Sequence, residues 1–169
     1  MDNARCLRPD RLQPSLIDRL VDTDPDRERD PPVTQAETLD GIRAALRRDL
    51  EWLLNTRRMP RTPPKAYEAL SDSLLTYGVE DFFSASLTTT RQRAAFAESL
   101  KSRIARCEPR LEGVEVSLVA GPVPSRRTLR LRISGRYTAR PGLPPMVFET
   151  AMDPVAGRFA VTNGQGPVG

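Results

Sequence analysis

The sequence predicts an α+β domain, with N-terminal helices packed on a C-terminal antiparallel sheet of about four strands. Two observations carry this. Apolar residues recur at helical spacing as far as Cys107, and from Val114 onward they alternate one-for-one with polar residues. Helices come first and a run of strands follows, the order expected when helices cover one face of a meander.

Residues 1–37 read as an extended arm. "VDTDPDRERDPPVTQ" (21–35) is charged, proline-rich and poor in large apolar groups, so it cannot bury enough surface to offset the entropy of ordering. Before it, at about 15–21, Ser15 is placed to cap a short helix with Asp18 as its partner. Leu16, Ile17, Leu20 and Val21 would share one face, an amphipathic peptide suited to docking in a groove. Folding back onto its own domain is the alternative.

A single domain is expected over 38–163, followed by a tail over 164–169. Its first helix is "TLDGIRAALRRDLEWLLNTRR" (38–58), capped by Thr38, with Leu39, Ile42, Leu46, Leu50 and Leu53 as a core stripe. Trp52 and Leu54 widen the apolar surface beyond that stripe, so they mark either a second interface or a deeply packed helix. "MPRTPP" (59–64) ends the helix. A short helix is expected to stop near Gly78, and a loop with Phe82 and Phe83 follows. Thr90 then caps a second long helix, with Arg93, Ala97, Leu100, Ile104 and Cys107 on one face and Phe96 beside it. The strands are expected at 114–118, 128–134, 145–152 and 157–162, with "DPVAG" (153–157) as a hairpin turn.

Composition removes several classes of function. The chain has no histidine, which excludes Ser-His-Asp and Cys-His nucleophiles. Two distant cysteines, Cys6 and Cys107, read as free thiols and leave no zinc site of the usual kind. No cofactor is expected. No apolar run approaches the roughly 20 residues of a membrane span, and "MDNARCLRPDRLQ" has no apolar core of a secretory signal. A cytoplasmic protein without membrane insertion is expected.

The formal net charge of +4 is uneven: residues 1–37 hold six arginines against nine acids, and residues 113–169 seven arginines against three acids. Only Lys65 and Lys101 are lysines. An arginine-biased proteome explains this more simply than a selected anion-binding surface. Arg130 and Arg132, with Arg126, Arg127 and Arg136 nearby, make one sheet face basic. A nucleic-acid platform would interleave aromatics there, and this strand has none. Glu108 with Glu112, Glu115 or Asp153 could in principle supply the paired carboxylates of glycoside hydrolysis, although surface acids beside a sheet are the commoner outcome.

The joint between the last helix and the first strand is unusual. Glu108, Pro109 and Arg110 stand there, and a glutamate at a helix C-terminus faces the negative end of the dipole. Pro109 stops the helix and stiffens the corner. The two charges either close internal ion pairs that lock helix to sheet, or meet opposite charges on a partner.

"SLIDRLVD", "LRRDLEWLLNTRR", "SLLTYGVEDF" and "IARCEPRLEGVEV", in this order, resemble the TssE family of type VI secretion baseplate subunits, related to the lysozyme-like wedge proteins of contractile phage tails. The resemblance runs from about Ser15 to the last strand. It implies a non-enzymatic wedge component with a fold like the contractile-sheath handshake domain. It implies binding to TssF and TssG, indirect association with TssK, neighbourhood to the hub, and contact with the first TssB–TssC sheath ring, where sheath polymerisation starts. It places the protein in the cytoplasm at a membrane-docked baseplate. The family's Glu-Pro-Arg motif falls on Glu108, Pro109 and Arg110 and implies assembly contacts. Cys107 stands where relatives often carry an aromatic residue. A lysozyme-like peptidoglycan hydrolase is the alternative function.

Overall fold

A computed structural model describes residues 15–21, 25–26, 34–60, 64, 66–67, 69–70, 73–80, 89–119, 129–138, 142–153 and 156–164. Cys6, Phe82, Phe83, Arg126, Arg127, most of the arm and nearly all of the tail lie outside them. The chain divides into two compact units, residues 1–46 and 47–169, and the division falls inside one long helix.

The first unit holds α1, Leu16–Leu20, capped by Ser15 through a bond from the Asp18 N–H to its hydroxyl. Ile17, Leu20 and Val21 are exposed; of Leu16 only the backbone is described. The unit also holds the start of α2, Gln35–Asn55. This helix begins three residues earlier than Thr38, because Thr34 and Glu37 cap it reciprocally. The Glu37 N–H bonds the Thr34 hydroxyl at 3.2 Å, and the Thr34 N–H bonds the Glu37 carboxylate at 2.8 Å. Thr38 sits inside the first turn, its hydroxyl bonded back to the Thr34 carbonyl.

The second unit opens with the rest of α2, where Leu50, Leu53 and Leu54 are buried. The helix ends at Asn55 and not at Arg58, because the backbone beyond it is taken by another strand of chain. The Val79 N–H bonds the Thr56 carbonyl at 2.9 Å and the Arg58 N–H bonds the Val79 carbonyl at 2.8 Å. That pairing requires Gly78, which has a φ of 98° and lies so close that an added Cβ would stand 2.4 Å from the Thr56 oxygen. A 3-10 turn at Leu74–Thr76 precedes it, held by the Arg103 guanidinium on the Thr76 carbonyl at 2.9 Å. Helix α3, Thr90–Cys107, is capped by Thr89 rather than Thr90, in a capping box with Gln92. Ala97, Leu100 and Ile104 are its buried face; Arg93 is exposed, and Phe96 and Cys107 are half-buried.

Four strands follow, β1 (Leu111–Val119), β2 (Arg130–Tyr137), β3 (Met146–Asp153) and β4 (Arg158–Asn163), antiparallel neighbours in chain order. The chain is therefore α+β, as its periodicity predicts. Leu131, Ile133, Phe148, Thr150, Met152, Phe159 and Val161 form the buried face. Arg130, Arg132 and Arg136 are exposed on the other, and Arg132 pairs with Glu149 at 2.9 Å. β1 starts at Leu111 rather than Val114. A bulge between Glu112 and Glu115, with Gly113 at φ 62°, interrupts the alternation and hides the first residues of the strand from a period-2 reading.

The ladder also fixes which backbone groups face outward. On β3 the Met152 N–H bonds the Leu129 carbonyl on the β2 side, while the Gly164 N–H bonds the Val147 carbonyl on the β4 side. Groups alternate between the two sides along a strand. Carried across the registers, this turns the N–H and C=O of Val116 and Leu118 outward at the β1 edge, and those of Phe159 and Val161 outward at the β4 edge.

The two glycines give a differential prediction. Gly78→Ala meets both a positive φ and a backbone clash and should destabilise by at least about 2 kcal/mol, whereas Gly113→Ala, facing only the end of the Arg136 side chain at 3.5 Å, should cost about 1 kcal/mol. Urea denaturation of the two variants measures the difference; equal losses would contradict the close approach at Gly78.

Candidate functional site

The end of α3 is built as a tight corner. The Glu108 N–H closes the last helical turn onto the Ile104 carbonyl at 2.8 Å. Pro109 and Arg110 then form the middle of a β-turn, with the Leu111 N–H on the Glu108 carbonyl at 3.1 Å. Thr138, just past β2, clamps the turn through its N–H on the Arg110 carbonyl at 2.9 Å and its hydroxyl on the same oxygen at 3.0 Å.

This turn folds the Arg110 side chain back over Glu108. The guanidinium donates from Nε and Nη2 to the two carboxylate oxygens, each at 2.6 Å, a two-pronged pair. Nη2 also donates to Asp49 of α2 at 2.6 Å. Glu108 is only 6% exposed, and Arg110 and Asp49 are partly buried. The hydrogen bonds that Arg110 donates to Glu108 first, and to Asp49 after them, hold its proton above the ordinary range. Arg110 thus ties together α2, the end of α3 and the start of β1. Of the two arrangements open to the motif, its charges adopt the internal one, while Pro109 stays exposed.

The same network continues to the surface. Asp49 also accepts from Arg48 at 3.1 Å, and the Arg48 guanidinium lies over the Trp52 ring, 5.0 Å from its centre. Trp52 is 55% exposed. Two features that the sequence separates by more than fifty residues, Trp52 and the Glu-Pro-Arg corner, are therefore joined by one chain of contacts. Leu54 is not part of this surface: it is 2% exposed and belongs to the chain's own core.

The match to known proteins fits this corner. The family of baseplate wedge protein gp25 matches residues 40–142, more than half of the chain, from within α2 through the corner to just past β2. The chain belongs to that family. No curated protein and no solved structure matches it. Membership in the gp25 family makes this a structural component of a baseplate wedge.

The acids of this gp25-family chain do not form a catalytic pair with Glu108. Both Glu108 oxygens accept from Arg110, so neither is directed at a substrate. Asp153 lies at the far end of β3 from the corner, about seven residues or roughly 20 Å along the strand, against the 5–10 Å or so that glycoside hydrolysis needs. Glu115 is exposed and paired with Lys101 at 3.1 Å. Among the described residues no acid, cysteine or histidine cluster could hold a metal, and no helix is long and apolar enough to cross a membrane.

Asp49 is the residue that a sequence reading misses, although a signal exists: it lies three residues after Leu46 and four before Leu53, an acid at the margin of the apolar stripe. Tyr77 and Tyr137 also border the network, and burial pushes both phenols above their usual range. Burial likewise raises the Cys107 thiol.

Two predictions follow from this geometry. Arg110→Ala leaves Glu108 buried and unpaired and should cost about 3 kcal/mol, with Arg110→Lys recovering only part because a lysine cannot span both oxygens; thermal melts of both variants check this. The second concerns pH. The fold holds the Cys107, Tyr77 and Tyr137 protons more tightly than the unfolded chain does, so the unfolded chain loses them first as pH rises. Stability is therefore full below the ordinary thiol range and falls from about pH 8.5 upward through the phenol range. Melting temperatures between neutral and strongly alkaline pH should show that decline, and it should be shallower in Tyr77→Phe.

Proposed function

We propose that this chain is the TssE-type wedge subunit of a type VI secretion baseplate, binding TssF and TssG and carrying the first TssB–TssC sheath ring. Membership in the gp25 family supports the baseplate setting. The observation that carries the sheath contact is the β1 edge. Val116 and Leu118 turn their N–H and C=O outward there, and among the described residues nothing bonds them. Their side chains are half-buried, while Ile133 and Leu131 opposite them are fully buried. An added strand would complete both the ladder and the apolar layer, which is how strand addition combines affinity with register.

The wedge contacts would fall on the surface around the corner. With Glu108 and Arg110 engaged internally, the corner offers Pro109 and the exposed rim of the guanidinium, and Trp52, linked to Arg110 through Arg48 and Asp49, supplies an aromatic anchor. The Glu-Pro-Arg motif then acts in assembly by holding this surface in one shape. The exposed Ile17, Leu20 and Val21 of α1, with Leu16, supply a second docking element on a separate unit.

Affinity purification from the native cell tests the proposal. The wild-type chain should bring down TssF, TssG and sheath. Trp52→Ala should keep the wild-type melting temperature and Pro109→Arg should lower it only modestly, as a turn proline is lost; both should lower recovery of TssF and TssG by about tenfold or more, as expected for a lost anchor. Wild-type capture without any baseplate component, or undiminished capture by both variants, would sink it.

A further inference from the structure

The sheet has a second edge, and it is treated differently. Phe159 and Val161 turn their backbone groups outward from β4, as Val116 and Leu118 do from β1. At β4 three of these four groups are occupied. The Asn55 carboxamide, on the last residue of α2, lies against Phe159: its Nδ2 donates to the Phe159 carbonyl at 2.9 Å, and the Phe159 N–H donates to its Oδ1 at 2.8 Å. Arg47, just over two turns earlier on the same helix, donates to the Val161 carbonyl at 3.4 Å.

A carboxamide is a peptide group in miniature, with one acceptor and donors in a single plane. Bonded to both the N–H and the C=O of one residue, it reproduces the exchange made by a hydrogen-bonded pair in an antiparallel ladder. Such a rung is an uncommon use of an asparagine at a helix end, where its usual role is to serve the helix's own backbone. Here the helix instead closes the strand.

We propose that Asn55 is a strand surrogate that shuts the β4 edge against a second copy of this chain. An unguarded β4 is self-complementary, because two copies can pair antiparallel about a two-fold axis through the same outward groups, Phe159 and Val161. With Asn55 in place the sheet accepts a strand at β1 alone. The β1 half of that statement rests on the baseplate reading above; the closure of β4 stands on its own geometry.

The test uses the full chain. In the wild type, residue-resolved hydrogen exchange should show the Phe159 amide protected at least about tenfold more than those of Val116 and Leu118. Asn55→Ala should lose that protection and show a mass by light scattering that rises toward a dimer with concentration, while the wild type does not. Asn55→Asp keeps the acceptor for the Phe159 N–H but sets a carboxylate against the Phe159 carbonyl. It should retain part of the protection, which guards against a variant that merely misfolds. A Phe159 amide that exchanges as fast as Val116 in the wild type overturns the proposal. So does a folded Asn55→Ala chain that keeps the wild-type mass at every concentration. No baseplate partner enters these measurements, so their failure would leave the wedge assignment untouched, and failed co-purification would leave the edge closure untouched.

Discussion

One arginine held between two acids sets the angle between helices and sheet. Arg110 reaches Glu108 at the end of α3 and Asp49 in α2 while its own backbone enters β1. Glu108 is badly placed by itself, since it is buried and lies at the negative end of a helix dipole. It is tolerable only because a guanidinium two residues along covers both its oxygens. That short reach depends on the Pro109 turn, which folds the chain back at this point. The turn and the ion pair therefore require each other. A well-packed apolar cluster would give as much stability or more. The triad instead enforces one geometry, which matters for a protein whose neighbours read its shape.

Much of the fold could be read from local pattern. The change of period near Glu108 marks the passage from helices to sheet, and the buried stripes of α2 and α3 are largely those that spacing selects. Boundaries were less legible where side chains decide them. Thr34 was obscured by Thr38, an equally good capping residue by type, and the difference lies in Glu37, which reaches back to Thr34. The start of β1 was obscured by the Gly113 bulge, which places Leu111 and Val114 on one face at an odd spacing.

The site was legible in a different way. The corner stood out as a local rule broken, an acid where a base belongs, and such breaks concentrate where function overrides stability. Its partner Asp49 left only a faint mark in the α2 stripe, and the direction of the two charges left none. The contacts at β4 left no mark at all. Asn55 meets Phe159 104 residues later, and Arg47 meets Val161 114 residues later. No periodicity in either segment encodes such a pairing, because it depends on how the helix and the strand meet after both have formed.

Taken together, the polar side chains of α2 give the domain its sidedness. The apolar stripe seats the helix, and three polar residues within nine positions direct the surroundings. Asp49 fixes the corner, while Arg47 and Asn55 occupy three of the outward groups of Phe159 and Val161 at β4. At β1 the equivalent groups of Val116 and Leu118 stay unbonded among the described residues. A sheet open at both edges would extend in both directions or pair with itself. A sheet closed at both would stop any assembly that grows by strand addition. On the sheath-contact proposal, one guarded edge and one open edge suit a part from which strand addition proceeds in one direction only. The helix that carries Trp52, linked to the corner through Arg48 and Asp49, also carries the side chains that bond β4, so one element serves both the corner and the sheet edge.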